Sequence, residues 1–599
     1  MCGIFGVLAP ELAVDESLLL AMQQSLTHRG PDDRGLYRDA AGDVALGHCR
    51  LAILDLTAAG HQPMSSPDGR FVIVFNGEIY NYLELRRELE ARGERFSGHS
   101  DTDVLLRAYQ VWGPPCLDKL LGMFAFAVWD REDGHLFLAR DRAGKKPLVY
   151  YWDGARFAFA SELKALLEVP GCEPVLDPAC VELFLALGYV PAPGAIFRNL
   201  RKLEAGHFLR VRAGTLELQR YWRPESAVQS EPSPTPRARL STFRALFSRA
   251  VSLRLRSDVP IGIFLSGGLD SSLIAHEVCR QGYDLHALTV AFAQDRTDLP
   301  SALEVARRLG LRHDTIEVGD EVASGLGDVL SCYDEPFADT SSIPSYAIAR
   351  AGRPYFKVVL NGDGGDEALA GYPHFAWIAW KQRLKQLGCA LGVRDGSPSD
   401  PWDVYFQSKA LFRRRARQAL LAGVGGQCDP FGEWIASNAY LRAARDRGPL
   451  RRALWADRHV YLPNDLLYKM DLALGAFGME GRSPFLDHTL LEWAQELPEN
   501  ELVDGDVLKV LLRRACRGLF SDELVDRPKH GFGAPAARWL QGPLREQALE
   551  VLPTPLLATE PQRRILDAFY DRADLREATR LWSLFTFALW AARWRARWA

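Results

Sequence analysis

Four prolines fall within thirteen residues between Pro224 and Pro236, and this run limits how the chain can fold more than any single motif does. Proline locks φ and removes a backbone donor. The Ser, Thr and Glu residues between these prolines offer little to bury, so the run reads as a connector. The patterns on its two sides differ. Upstream, short β-prone runs recur at Ile4–Val7, Val44–Leu46, Phe71–Phe75, Phe124–Trp129, Leu136–Ala139, Leu148–Trp152 and Phe157–Ala160, punctuated by Gly, Asp and Asn, as in a hairpin-rich sheet. Helical periodicity interrupts them at Tyr82–Arg92 and Thr102–Tyr109. An α+β layered domain is expected. Downstream, an amphipathic segment at Leu240–Arg256 precedes strand-like Ile261–Leu265 and helix-like Ser271–Arg280. Strands at Leu285–Ala291 and Phe356–Leu360 then alternate with helices at Ala302–Leu309 and Ile343–Arg350. That alternation predicts a parallel α/β core, followed from about Phe375 by a helix-rich remainder. The expected division is a first domain over 2–210, a connector over 211–236 and a second domain over 237–599.

A chain of 599 residues exceeds what one hydrophobic core sustains. A balance of 72 Lys and Arg against 76 Asp and Glu gives no bulk attraction to nucleic acid or anionic membrane, so substrates are recognised locally. The ten cysteines form no CxxC pair and no zinc spacing, consistent with scattered thiols in a reducing cytoplasm. No basic stretch precedes an apolar one at the amino terminus. The apolar run Leu581–Ala592 is about half a membrane span and is expected to be a packed helix. The basic and aromatic residues in Arg413–Arg417 and Trp590–Trp598 read as a solvated helix face with tryptophans packed behind it. No nucleic-acid or membrane partner is expected, and homo-oligomerisation is left open.

The chemistry-bearing residues sit in Gly-rich or polar clusters beside apolar runs, where loops carry function. Cys2 follows the initiator Met; once that Met is removed, one residue carries both a thiol and an α-amine able to act as base near neutral pH. A lone second-position Cys is more often a small buried hydrophobe, and Asn76-Gly77 alone is a hairpin turn. Their company changes the reading: MCGIFGV is followed by His28-Arg29-Gly30-Pro31-Asp32, Gly47-His48-Cys49-Arg50-Leu51, Asn76-Gly77-Glu78 and Ser100-Asp101-Thr102-Asp103. In the second region the strand ending at Leu265 runs into Ser266-Gly267-Gly268-Leu269-Asp270-Ser271-Ser272, a small-residue turn before a helix start that suits phosphate. It lacks the lysine of GxxxxGK[ST], which favours cleavage between the α- and β-phosphates over γ-phosphoryl transfer. Asn361-Gly362-Asp363-Gly364-Gly365-Asp366-Glu367 follows another strand; carboxylates concentrated beside Gly turns suggest a Mg2+ site.

The first set of strings resembles the N-terminal nucleophile glutaminase domain of glutamine-hydrolysing asparagine synthetases, and the second resembles their ATP-pyrophosphatase-like synthetase domain. The likeness runs nearly the whole chain and includes Glu480-Gly-Arg482-Ser-Pro-Phe-Leu-Asp487 and Arg527-Pro528-Lys529. It implies that Cys2 attacks the glutamine amide, that Asn76 and the Gly77 N–H form an oxyanion hole, and that Arg50 grips the substrate α-carboxylate while Glu78 and Asp101 hold its ammonium. It implies ATP binding by Leu265, Ser266, Gly267, Gly268, Asp270, Ser271, Ser272 and Gly362, with Mg2+ on Asp270 and Asp366. Lys529 would support the leaving pyrophosphate. In the best-known members the first carboxylate of the acidic cluster is Glu, proposed to take a proton from attacking ammonia; here it is Asp363, one methylene shorter. The implied reaction amidates a carboxylic acid, with aspartate the favoured acceptor and the same chemistry on another acid the alternative.

Overall fold

The protein is described here from a computed structural model covering residues 1–9, 14–226, 235–292, 297–319, 325–390, 402, 405–406, 409–424, 429–528 and 533–598. Twelve strands build the first region: β1 Gly3–Leu8, β2 Asp33–Arg38, β3 Val44–Arg50, β4 Met64–Ser65, β5 Phe71–Ile79, β6 Gly122–Asp130, β7 His135–Arg140, β8 Val149–Trp152, β9 Phe157–Ala160, β10 Leu200–Lys202, β11 His207–Arg212 and β12 Thr215–Arg220. They form two antiparallel six-stranded sheets, ordered β10-β8-β9-β1-β3-β2 and β12-β11-β7-β6-β5-β4. Ile4, Leu46, Val72, Val74, Ala127 and Phe159 meet between the sheets. Because side chains alternate along a strand, Phe71, Ile73 and Phe75 point the other way, onto helices Tyr82–Glu90 and Asp101–Trp112. Burial on both faces explains why β5 reads as a continuous apolar run. The outer face of the β1 sheet packs on helices Glu16–Leu26 and Pro178–Leu187.

The hairpin β11–β12 extends the second sheet past the expected boundary at residue 210 and into the expected 211–236 connector. Leu209 and Val211 are fully buried within the sandwich, so the hairpin belongs to the first region. Helix Pro236–Arg254 begins where the connector was expected to end.

The second region holds one wholly parallel sheet of β13 Ile261–Phe264, β14 His286–Phe292, β15 Arg312–Val318, β16 Val358–Leu360 and β17 Glu480–Arg482, ordered β15-β14-β13-β16-β17. From β13 the chain proceeds outward through β14 and β15, then returns to β16 on the other side. The order therefore reverses beside β13, and ligands in such sheets bind beyond the strand carboxyl ends at that point. A short hairpin, β18 Val503–Asp504 with β19 Val507–Leu508, follows.

The two regions share apolar packing. In the terminal helix Ala578–Arg593, Phe587 stacks on Phe184 with ring centroids 5.7 Å apart, and Trp590 stacks on Phe197 at 5.5 Å. The expected packed helix is thus present. Among the described residues no helix is long and apolar enough to cross a membrane.

Candidate active site

The first site lies at one end of the sandwich. His48 stands opposite Ile4 in the β1–β3 ladder, and its Nε2 lies 3.1 Å from the Phe75 carbonyl; the start of β1 and the Asn76 end of β5 therefore lie together. Cys2 Sγ accepts from the Leu51 N–H at 3.5 Å, and burial pushes the thiol's pKa up. Asn76 is fully buried, and neither its amide oxygen nor its amide nitrogen has a hydrogen-bond partner among the described residues. Leaving such a group unpaired costs about 1–3 kcal/mol, so both the donor and the acceptor of this amide are open to a ligand. Gly77 stands opposite Phe124 on β6, and a Cβ there would come within 2.1 Å of the Met123 carbonyl; only glycine fits this approach.

The other three glutaminase-site residues are placed differently from one another. The Arg50 guanidinium is wrapped by its own loop, donating to the Leu54, Asp55 and Thr57 carbonyls at 3.2, 2.5 and 3.1 Å. Asp101 accepts from the Ile79 N–H at 2.9 Å, and burial pushes its carboxyl up to about 7. Glu78 does not reach this site with its charge unmet: Arg482, on β17 of the second region, pairs with it at 2.7 Å. Burial pushes the Glu78 carboxyl well up, with the Arg482 guanidinium opposing.

Met1 fills the space behind Cys2. It is 1% exposed and packs among Phe264, Ile348, Met470 and Met479. Its amine donates to the Met479 carbonyl at 3.3 Å, and burial lowers that amine's pKa to about 5. Phe264, Ile348 and Met470 also line the second site, so Met1, next to Cys2, packs against residues that form the wall of that cavity.

The second site is a cavity of about 720 Å3 at the switch point of the parallel sheet. Leu265, Ser266, Gly267, Gly268, Asp270 and Ser271 line it from the end of β13, and Gly362, Asp363 and Asp366 line it from the end of β16. Ser272 does not line it; its hydroxyl donates to the Gly268 carbonyl at 2.7 Å and closes the first turn of helix Leu269–Arg280. A Cβ at Gly365 would lie 2.4 Å from Asp270 Oδ1, so glycine lets the two acidic loops meet. Asp270 Oδ1 is buried without a hydrogen-bond partner among the described residues. An acidic pair with an unmet oxygen fits a divalent cation.

A lysine from a distant part of the chain meets this loop, which itself lacks the lysine of GxxxxGK[ST]. Lys509 Nζ lies 2.5 Å from Asp270 Oδ2 and 2.6 Å from Asp366 Oδ1. It follows the β18–β19 hairpin at φ +53°, a left-handed backbone that non-glycine residues seldom adopt unless their surroundings hold it there. Lys529 lies outside the described residues, while its neighbours Arg527 and Pro528 line the cavity. Arg527 is committed to Asp298 at 2.7 Å and Ser301 at 3.0 Å. Lys469, also in the lining, pairs with Asp339 at 2.9 Å.

Comparisons with known proteins cover both regions. A family model described as "Glutamine amidotransferase domain" matches residues 1–222, and one described as "Asparagine synthase" matches residues 242–592. Asparagine synthetase [glutamine-hydrolyzing] 1 of Bacillus subtilis is 30% identical over 98% of this chain and 96% of its own length. Asparagine synthetase [glutamine-hydrolyzing] 3 of the same organism is 31% identical over 89% of this chain and 87% of its own. A Mycobacterium bovis protein provisionally given the same name is 33% identical over 99% of this chain and 97% of its own length.

Proposed function

The chain belongs to the glutamine-hydrolysing asparagine synthetase family, an ATP-dependent carbon–nitrogen ligase family using glutamine as nitrogen source, and from that premise we propose that it converts L-aspartate to L-asparagine through β-aspartyl-AMP, releasing AMP, pyrophosphate and glutamate. The observation carrying this reading is the meeting of Asp270, Asp366 and Lys509 at the switch-point loop, in one cavity with Asp363. Carboxylates and a lysine at that loop suit a pyrophosphate leaving group better than a sugar or a base.

In this reading the Cys2 thiol attacks the glutamine amide carbon and its proton passes to the α-amine freed by removal of Met1; the C–N bond then breaks, that proton leaves with ammonia, and water hydrolyses the thioester to glutamate. Asn76 Nδ2 and the Gly77 N–H donate to the developing oxyanion, a term commonly worth 10²–10³-fold in rate for about one donor. Arg50 and Asp101 hold the ends of the glutamine backbone, and Glu78, already paired to Arg482, orients beside them. At the second site Asp270 and Asp366 would hold Mg2+, which supplies charge neutralisation for the triphosphate. Lys509 stabilises negative charge on the pyrophosphate, the role that the family resemblance also gives to Lys529. Asp363 takes the proton that ammonia must lose after attacking the acyl carbon.

The test is to incubate the purified enzyme with ATP, Mg2+, amide-15N glutamine and a panel of carboxylic acids, then identify labelled products and count AMP. Labelled asparagine matched by AMP supports the reading. Stoichiometric amidation of another acid overturns aspartate, and ADP with phosphate overturns adenylation.

A further inference from the structure

Lys145 belongs to the first region but ends in the second. It lies on the Asp141–Lys146 turn between β7 and β8, and its buried Nζ donates to Ser483 Oγ at 3.0 Å and stands 3.6 Å from Asp363 Oδ2. Ser483 donates in turn to Asn361 Oδ1, and Asn361 Nδ2 donates to Asp363 Oδ2 at 2.8 Å. Four side chains thus close a ring: Lys145, Ser483, Asn361 and Asp363. The ring engages Asp363 twice at Oδ2, and no hydrogen bond from the described residues reaches Oδ1. Burial works against the Lys145 ammonium, and Asp363 is the foremost anion opposing it.

The turn that presents Lys145 is itself tied to the oxyanion strand. Asp141 Oδ1 accepts from the Lys145 N–H at 2.9 Å, and Asp141 Oδ2 accepts from the N–H groups of Lys146 at 3.0 Å and Phe124 at 3.2 Å. Phe124 is the residue facing Gly77 across the β5–β6 ladder. The chain of contacts therefore runs from the proposed oxyanion hole through β6 and Asp141 to Lys145, and on to the carboxylate lining the nucleotide cavity.

We propose that Lys145 is a positioning residue for amide formation: the glutaminase region completes the synthetase site by fixing Asp363, so that the shorter acid presents Oδ1 to the incoming ammonia. This rests on the reaction proposed above. Ammonia's lone pair forms the C–N bond, the acyl C–O bond breaks with its electron pair leaving on AMP, and Asp363 accepts one N–H proton. Lys145 takes no proton in this step; it holds the acceptor's angle and distance. An Asp carboxylate has a methylene less reach than Glu, and proton transfer requires approach to about 2.6–3.2 Å, so its orientation must be set by neighbours.

The test separates activation from amidation. In Lys145→Met, which keeps the stem but removes the charge, acceptor-dependent ATP–pyrophosphate exchange and glutamine hydrolysis should remain largely intact. Rapid-quench conversion of acyl-AMP to amide should fall on the order of 10–100-fold, below the full 10²–10⁴ of a positioned base, with either glutamine or ammonium as source. Lys145→Arg should restore a substantial part of the rate, and Ser483→Ala, which opens the ring from its other side, should slow the same step. Amide formation at the wild-type rate in Lys145→Met, or equal losses in exchange and amidation in both Lys145→Met and Ser483→Ala, overturns the proposal. Absence of exchange in the wild-type enzyme with every acid tested would instead defeat the adenylation reading on which it rests.

Discussion

The two sites solve their electrostatics in opposite ways. At the amino-terminal site the proposed groups are enclosed and partly unmet: the Asn76 amide has no partner among the described residues, and burial pushes the Cys2 thiol up and the Asp101 carboxyl up to about 7. At the nucleotide site Lys509 already spans Asp270 and Asp366, leaving Asp270 Oδ1 without a hydrogen-bond partner among the described residues. A small neutral substrate with a zwitterionic backbone can supply the missing partners of the first site one by one. A polyanion entering the second meets a lysine already paired to two carboxylates, so it needs the whole charged cluster, with the cation its unmet oxygen would take. The first should therefore fail at single atoms, and the second as a charged unit.

The largest expected effect tests the independence of the two. Cys2→Ala should abolish glutamine-dependent synthesis while leaving ammonium-dependent amidation substantially intact, because the thiol serves only to release nitrogen. Parallel assays with the two nitrogen sources check it; glutaminase retained at full rate would remove Cys2 from its role.

Next, Asp270→Asn, Asp366→Asn and Lys509→Ala should each lower ATP–pyrophosphate exchange by ~10²–10³-fold with either source. Because the three act together, a double variant should lose much less than the product of the singles. Additive losses in exchange would mean that they do not work as a unit.

Asn76→Ala should reduce glutamine hydrolysis by ~10²-fold with little change in ammonium-dependent synthesis. It should also not destabilise the fold as a lost buried hydrogen bond would, since no bond is present to lose. A thermal melt beside the kinetics decides this.

The smallest effect is a pH dependence. In its proposed role Asp101 holds substrate ammonium only when ionised, and burial pushes its carboxyl up to about 7. The glutamine KM should rise as pH falls from 8 to 6, and Asp101→Asn should give a raised KM that is flat over this range. A wild-type KM independent of pH would place the ammonium contact elsewhere.

How much of this was legible in the sequence divides by locality. The apolar pattern predicts every interior strand except β11 and none of the six at the edges of the three larger sheets, β2, β4, β10, β12, β15 and β17. Edge strands keep one side wet, so Thr215–Arg220 and Arg312–Val318 carry too few apolar residues to stand out. Cys2, Asn76-Gly77 and the Ser266–Ser272 string are visible because their chemistry is contiguous. Lys509 acts 239 positions from Asp270, and Lys145 acts 338 positions from Ser483. Each is one lysine in an ordinary local context, and only the packing of the two regions gives it a task. The Glu78–Arg482 pair is equally invisible, since nothing near either residue names the other.

The burial of Met1 has a consequence for the order of events in the life of the molecule. An exopeptidase must hold a free chain end in its own cleft, and a side chain 1% exposed beneath Phe264 and Met479 offers none. In the proposed mechanism, which needs Cys2 as the amino terminus, Met1 must therefore be excised before the regions close on each other. A chain that folds first would keep Cys2 amide-linked to a methionine buried among Phe264, Met470 and Met479. Overproduction that outruns the processing enzyme would then yield a mixed population whose specific activity tracks the fraction of amino termini that begin at Cys2.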